Sequence, residues 1–151
     1  HSYGGMVITG VMNSIPKKIK HAVFLDAAVP NHGISAREHW GDKRDLLIKD
    51  GIVYFPWLRK NSRPPHDVPQ SLATLTEPVS FNNDQAKNLS ATYVAFVSDP
   101  AGREIREKTD LSWANAKGRG WPIHILESDH NAQRSHPIEL ADLLEQIAST
   151  D

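Results

Sequence analysis

Two short apolar runs constrain the fold of this chain more than any other feature of its sequence. The first occupies residues 22–25 and resumes after Asp26 as far as Val29, and the second occupies residues 92–97. Strands that are buried on both faces have such continuous apolar runs, and they occur in parallel sheets whose faces are covered by helices. The long stretch between the two runs leaves room for connecting elements. We therefore predict an α/β fold with a parallel sheet flanked by helices.

Three further segments have the pattern of helices or a strand. Residues 3–13 place apolar side chains at helical spacing, and a second helix is predicted over residues 104–119, before a short strand at residues 123–126. The last helix is predicted to begin at Pro137, because proline suits the first turn of a helix. An apolar stripe follows that proline at helical spacing: Ile138, Leu140, Leu143, Leu144 and Ile147.

Residues 31–90 are too long for a plain connection. Connections beyond about 15 residues are usually lids or binding elements, so we interpret this segment as a small helical cap, with helices at residues 36–50 and 69–75. Its aromatic side chains form the core of the cap, an apolar pocket, or both: Trp40, Tyr54, Phe55 and Trp57. The predicted organisation is thus a first core part at 1–30, the cap, and a second core part at 91–151.

Charge and composition argue against several partners. The 17 lysines and arginines against 18 aspartates and glutamates give a net charge of -1, so no overall field favours nucleic acid. The apolar runs are shorter than the ~20 residues of a membrane-spanning helix, so we expect a soluble protein without a membrane partner, with the cytoplasm favoured over secretion. The chain has no cysteine, and no two histidines have the spacing of a helical zinc motif. Neither a metal nor another cofactor is predicted.

The first five residues have the pattern of a nucleophile elbow: His1-Ser2-Tyr3-Gly4-Gly5. In that pattern a serine between small residues lies on a strained turn from a strand into a helix, and a glycine stands two residues before the serine and two after it. The first of those glycines would precede His1. We expect a side chain at Gly4 to crowd the strand that leads into the turn. Close contacts are also expected at the other glycines of this helix, since each costs about 1 kcal/mol relative to alanine.

A serine is a weak nucleophile until a base accepts its proton, and a carboxylate usually orients that base. His130 lies in the turn between the last predicted strand and the last helix, so we predict that it is the base for Ser2. Asp26 and Asp99 each follow a predicted buried strand, and either of them could supply the carboxylate.

Residues 1–7, 23–30 and 128–132, in this order, resemble the carboxyl-terminal portion of an α/β-hydrolase, close to esterase-like members with a small helical cap. The resemblance spans nearly the whole chain. It implies that this chain holds only the later strands of the fold. A second polypeptide or a missing segment is then expected to supply the upstream strands.

The resemblance also implies roles for individual residues. Ser2 would be the nucleophile, His130 the general base, and the backbone N–H of Tyr3 one donor of the oxyanion hole, with a second donor from an upstream loop. Members of the fold carry the acid after either of two strands. We favour Asp26, because the loop that contains Asp99 is shorter than the acid loop of the family.

The function implied by the resemblance is cleavage of a carboxylic ester or lactone through an acyl-serine intermediate. Two other functions remain open. One is the cleavage of cyanohydrins by the same triad, as in hydroxynitrile lyases related to these esterases. The other is a non-catalytic receptor for a small molecule on the same fold.

Overall fold

The computed structural model describes residues 1–41, 45–61 and 63–150. Within these ranges the helices are α1 (Gly4–Ser14), α2 (Ala36–His39), α3 (Ala73–Thr76), α4 (Asp84–Lys87), α5 (Pro100–Thr109), α6 (Leu111–Gly118), α7 (Ala132–Ser135) and α8 (Pro137–Ser149). The strands are β1 (His21–Leu25), β2 (Leu47–Lys49), β3 (Ile52–Tyr54), β4 (Gln70–Ser71), β5 (Ser90–Val97) and β6 (Ile123–Glu127).

The larger sheet is parallel and has the strand order β1-β5-β6. β5 lies between the other two strands, and all of its residues after Ser90 are buried. Leu25 at the end of β1 lies opposite Val94, and Val97 at the end of β5 lies opposite Glu127. The two apolar runs therefore contribute strands to a parallel sheet, as predicted. These strands are neighbours, and they end toward the same edge.

Helices cover both faces of this sheet. One core joins α1 and α6 to β1 and β5: Met12, Phe24, Tyr93, Ala95 and Trp113. The other core joins α8 to the opposite face of β5 and β6: Val94, Phe96, Leu126, Leu140 and Ile147. Successive residues of β5 thus point to alternate cores, which is the period of a strand. No helix in the described part of the chain is long and apolar enough to cross a membrane.

The segment between β1 and β5 contains a small antiparallel sheet in addition to short helices. The prediction of one helix over residues 36–50 is wrong beyond His39. α2 begins with a capping box at Ser35, but Gly41 follows it with φ +58°, a left-handed conformation that ends a helix. β2 then pairs with β3. Residues 42–44 of the predicted helix lie outside the described residues.

The helix predicted over residues 69–75 is wrong in its first half. Gln70 pairs with Val53 of β3 as part of β4, and α3 begins only at Ala73. This sheet and the short helices build a third core against α1 and the chain after β1: Met6, Ala28, Ala36, Leu46, Val53 and Leu75. The middle segment is thereby anchored beside the start of α1.

The single helix predicted over residues 104–119 is in fact two helices, α5 and α6, which meet at Asp110. The Asp110 backbone is extended there, with φ −82° and ψ 113°, and its Oδ1 accepts a hydrogen bond from Ser112 N at 2.8 Å. Aspartate favours the cap of a helix over the interior, because its side chain competes for nearby backbone N–H groups. The helical pattern continues across the break, so periodicity alone misses it.

Candidate active site

Ser2 lies in a tight turn directly before α1. Its backbone has φ +55°, a left-handed conformation that few residues other than glycine adopt. The turn is fastened to the chain around the end of β1, since Ser2 N donates to Leu25 O at 3.3 Å and Ala28 N donates to Ser2 O at 3.0 Å. Ser2 therefore has the strained backbone that is typical of a nucleophile elbow.

Gly5, rather than Gly4, is the glycine that close packing requires. A Cβ atom on Gly5 would lie 1.9 Å from Ala28 O, whereas one on Gly4 would meet nothing within 4 Å among the described residues. A Cβ atom on Gly10 would lie 3.6 Å from Val79 Cγ2, which is an ordinary contact. The prediction that a side chain at Gly4 would crowd a strand is therefore wrong. Among the three glycines of α1, only Gly5 makes a tight contact with the described residues.

The side chains of Ser2, His130 and Asp26 form a hydrogen-bonded triad. His130 Nε2 lies 3.1 Å from Ser2 Oγ, and His130 Nδ1 lies 2.5 Å from Asp26 Oδ2. An ionised carboxylate can only accept hydrogen bonds, so His130 Nδ1 carries a proton and donates a hydrogen bond to Asp26. Nε2 is then unprotonated and can accept a hydrogen bond from the serine hydroxyl. Such an arrangement can remove a proton from serine and hold the resulting imidazolium beside a carboxylate.

Asp26 reaches His130 because the chain turns sharply after β1. Its backbone has φ +46°, and its N–H donates to Val94 O at 2.8 Å. The turn therefore carries the carboxylate toward β5, where the side chain is only 9% exposed, against 50% for the His130 side chain. His130 itself follows β6, in the loop before α7.

Asp99 does not join this triad. Its Oδ1 accepts a hydrogen bond from Gly102 N at 2.7 Å and its Oδ2 accepts one from Ser98 Oγ at 3.0 Å, so that it caps the start of α5. These hydrogen bonds, the one from Gly102 first, lower the pKa of the Asp99 carboxyl. Of the two candidate acids, Asp26 is the one that the structure brings to His130.

A charged cluster lies behind Asp26, and sequence reasoning missed it. Arg106 of α5 donates from Nη1 to Asp26 Oδ1 and to Phe96 O. Its Nη2 donates to Asp110 Oδ2 and to Tyr93 OH. Burial opposes the charge of Arg106, but its hydrogen bonds with Asp110 and Asp26 outweigh burial and raise its pKa. The four-residue spacing of Arg106 and Asp110 could have indicated their pairing, whereas no spacing indicates the contact with Asp26.

Tyr3 and His1 flank Ser2. Tyr3 is the residue before the first turn of α1, and its N–H has no acceptor among the described residues. A helix N-terminus favours negative charge, so this amide suits an oxyanion beside Ser2. His1 Nε2 lies 2.7 Å from His130 O, and the two imidazole rings are 4.5 Å apart. His1 therefore supports the loop of His130.

Curated proteins that match this chain in sequence are esterases by name. The "Carbendazim hydrolyzing esterase" of Nocardioides sp. (strain SG-4G) is 66% identical over 35 residues, which are 23% of this chain and 14% of that protein. The "Putative methylesterase 11, chloroplastic" of Arabidopsis thaliana is 32% identical over 133 residues, which are 85% of this chain and 33% of that protein. The chain thus spans a third or less of these relatives. No protein-family model matches it.

Solved structures match nearly the whole chain. The pyrethroid hydrolase PytH has a TM-score of 0.68 at 16% identity, over 99% of this chain and 68% of its own. Polyneuridine aldehyde esterase has a TM-score of 0.60 at 16% identity, over 98% of this chain and 69% of its own. The methylesterase MES16 from Arabidopsis has a TM-score of 0.57 at 20% identity, over 100% of this chain and 68% of its own. This chain has an α/β-hydrolase fold.

The α/β-hydrolase fold here contains a cavity of about 550 Å³, which Ser2 lines. The middle segment contributes aromatic walls to it from Trp40, Phe55 and Trp57. The rings of Phe55 and Trp57 stack with their centroids 4.5 Å apart, and the Trp40 ring lies 6.3 Å from that of Tyr3. Three of the four aromatic residues singled out in the sequence therefore line a pocket beside Ser2.

Other histidines of this α/β-hydrolase fold form hydrogen bonds within the protein. His39 is buried, its Nε2 lies 2.8 Å from Ser112 Oγ, and burial lowers its pKa. His32 Nδ1 accepts from Phe81 N at 3.2 Å. No group of three or more histidine, aspartate or glutamate side chains in the described ranges could hold a metal ion, so we assign no metal ligands.

Proposed function

We propose that this protein is a serine hydrolase that cleaves a carboxylic ester or lactone through an acyl-serine intermediate. The observation that carries the proposal is the continuous set of contacts from Ser2 through His130 to Asp26, with heavy-atom distances of 3.1 Å and 2.5 Å. The esterase names of the relatives and of the structural neighbours support the same reaction class.

In the proposed mechanism, Ser2 Oγ attacks the carbonyl carbon of the substrate while His130 Nε2 accepts the hydroxyl proton. The imidazolium is stabilised by Asp26, which keeps Nδ1 protonated throughout. His130 then returns the proton to the leaving alcohol, and the acyl group stays on Ser2. Water, deprotonated by His130, hydrolyses the acyl-serine, and the serine regains its proton.

The developing oxyanion is proposed to bind the backbone N–H of Tyr3. This amide is adjacent to Ser2, it points from the N-terminus of α1, and it has no acceptor among the described residues. One preorganised donor of this kind contributes about 3 kcal/mol to the stability of the transition state. A second donor is proposed to come from residues outside this chain.

The cavity supports a substrate with a flat or aromatic apolar part. Its aromatic walls, Trp40, Phe55 and Trp57, offer large ring faces, and ring pairs add about 1 kcal/mol beyond the burial of their area. Polar groups lie on the same lining, among them His66 and Gln70. A panel of aryl and alkyl esters, with carbendazim included because a relative is named for its hydrolysis, therefore tests this proposal.

Replacement of Ser2 by alanine is the decisive variant. We expect Ser2→Ala to lower kcat for the best ester of the panel by about 10⁴-fold or more, because the attacking oxygen is lost. A fluorophosphonate probe should modify Ser2 in the wild-type protein, which is checked by intact mass and peptide mapping. Ser14→Ala is the matched control, since Ser14 lies exposed at the end of α1, the helix that follows Ser2, and its hydroxyl donates to Gly10 O.

Three results would contradict the proposal. Full ester turnover by Ser2→Ala would exclude Ser2 as the nucleophile. Release of cyanide from cyanohydrins without ester turnover would indicate a lyase. Tight binding of a small molecule by a wild-type protein that neither hydrolyses esters nor reacts with the probe would indicate a receptor.

A further inference from the structure

Arg106 touches the one carboxylate oxygen that the triad does not use. Asp26 Oδ2 faces His130 Nδ1 at 2.5 Å, while Oδ1 accepts from Arg106 Nη1 and, at 3.4 Å, from Phe96 N. Both oxygens of the carboxylate are thus held, each by a different partner. The carboxylate has little freedom to rotate away from the imidazole.

The guanidinium group of Arg106 is itself held by four acceptors. Nη1 is shared between Asp26 Oδ1 and Phe96 O, the latter at 2.6 Å, and Nη2 is shared between Asp110 Oδ2 and, at 3.1 Å, Tyr93 OH. Burial, and then the charge of Asp110, raise the pKa of the Tyr93 phenol, so that Tyr93 remains a neutral partner. The guanidinium group of Arg106 in α5 therefore contacts β5, the residue before α6 and the loop after β1.

We propose that Arg106 is the positioning residue that holds the Asp26 carboxylate toward His130. The inference rests on the proposed function, because it gives Arg106 a role in the same triad. Arg106 touches neither Ser2 nor the cavity lining, so it acts through Asp26 and not on the substrate. A planar guanidinium with its donors in a fixed fork suits this task, whereas the single ammonium of lysine does not.

The charge of Arg106 also sets the electrostatic balance at His130. The titratable groups that face the Asp26–His130 pair are the Arg106 cation, with Asp110 and Tyr93 behind it, and the imidazole of His1. Arg106 offsets part of the negative charge of Asp26. Its removal takes away the repulsion between this cation and a positively charged imidazole, which favours the protonated imidazole. The protonated form of His130, which cannot act as a base, then persists to higher pH.

The experiment compares Arg106→Met and Arg106→Lys with Arg103→Met, which alters an exposed residue of the same helix. For Arg106→Met we expect kcat to fall by about 10²-fold with KM nearly unchanged, because the base is misaligned. The acidic limb of kcat/KM against pH should move up by about one pH unit. Arg106→Lys keeps the charge without the fork, so we expect a loss of kcat of about tenfold and an unmoved limb. Arg103→Met should behave as the wild-type protein.

A purely structural role for Arg106 would lower the folded fraction without moving the pH profile, and that result would overturn the proposal. So would a folded Arg106→Met variant with wild-type kcat and pH profile. If Arg106→Met does not fold, wild-type kcat in Arg106→Lys would overturn it as well. NMR titration of the His130 imidazole separates this proposal from the proposed function, because its midpoint should move to higher pH in Arg106→Met even in a protein without ester turnover. An unmoved midpoint in that variant would contradict the coupling of Arg106 to His130 through Asp26.

Discussion

Two residues of the triad, Ser2 and Asp26, have left-handed backbones, with φ +55° and +46°. Each such conformation costs of order 1–3 kcal/mol in a residue other than glycine. Both are held by backbone hydrogen bonds around the end of β1, from Ser2 N to Leu25 O and from Asp26 N to Val94 O. Ser2 and Asp26 are thus placed by the same strand end, and β5 supports that end from the other side.

The choice between the two candidate acids can be tested with one type of substitution at both positions. Asp26→Asn should lower kcat by about 10⁴-fold, because an amide cannot hold the imidazole in the required tautomer or stabilise its charge. Asp99→Asn should leave both kcat and stability nearly unchanged, since asparagine also caps helices. Steady-state kinetics measure kcat, and thermal unfolding measures the stability of both variants. Equal and small losses of kcat in the two variants would remove both aspartates from the mechanism.

The sequence was sufficient to propose Ser2, Asp26 and His130, because each residue follows a recognisable strand or precedes a recognisable helix. Arg106 was not found in this way. Its side chain reaches Asp26 only because α5 packs against β5 and β5 lies beside β1. That contact depends on the three-dimensional arrangement of three elements, and no local spacing of residues encodes it.

At the scale of elements, the approach of α1 to the chain after β1 determines where the turn that contains Ser2 lies. We predict that Gly5→Ala destabilises the protein by about 3 kcal/mol or more, because the new methyl group would overlap the carbonyl of Ala28 and backbone on both sides would have to move. Gly10→Ala lies in the same helix at an ordinary contact distance. It should stabilise the protein by up to about 1 kcal/mol through its helix propensity.

Chemical denaturation of the two glycine variants measures these changes in the free energy of unfolding. The activity of Gly5→Ala at a temperature where it remains folded should also fall, since the turn that carries Ser2 is displaced. Equal stability of the two variants would mean that the close approach of Gly5 to Ala28 does not restrain α1.

The elements that were predicted correctly from the sequence share one property. Each has a continuous or periodic pattern of apolar residues, and these residues are buried in the sheet or against it. β1, β5 and α8 are of this kind. The elements that were missed are determined by short-range features. α2 ends before Gly41, which has a positive φ, and α5 ends where Asp110 caps α6. The strands of the small sheet are two or three residues long, too short for alternation to be recognised.

At the scale of the whole molecule, the middle segment is joined to the core through a buried hydrogen bond. His39 at the end of α2 contacts Ser112 at the start of α6 with a 2.8 Å separation of Nε2 and Oγ, and Ser112 Oγ also accepts from Val29 N at 3.3 Å. His39 Nδ1 is buried and has no partner among the described residues. A proton on that nitrogen would be a buried donor without an acceptor, which is costly.

This contact predicts how the stability of the molecule depends on pH. Burial lowers the pKa of His39 below its ordinary value of 6.5, with Asp110 opposing the shift and Arg119 adding to it. Below about pH 6.5, His39 therefore binds a proton in the unfolded chain but stays neutral in the folded protein. The free energy of unfolding then falls as the pH falls, by up to about 1.4 kcal/mol per pH unit. Above that range His39 is neutral in both states and contributes no pH dependence.

The prediction is tested by measuring the free energy of unfolding by denaturant titration at several pH values between 4.5 and 8. The wild-type protein is compared with His39→Gln, whose amide can still form a hydrogen bond with Ser112 but does not titrate. The wild-type protein should lose stability on acidification more steeply than His39→Gln, and His66→Gln, which changes an exposed histidine, should follow the wild-type slope. Because His39 joins α2 to α6, its protonation should also loosen the middle segment over the cavity. Parallel slopes for the wild-type protein and His39→Gln would show that His39 is protonated in the folded state as readily as in the unfolded one.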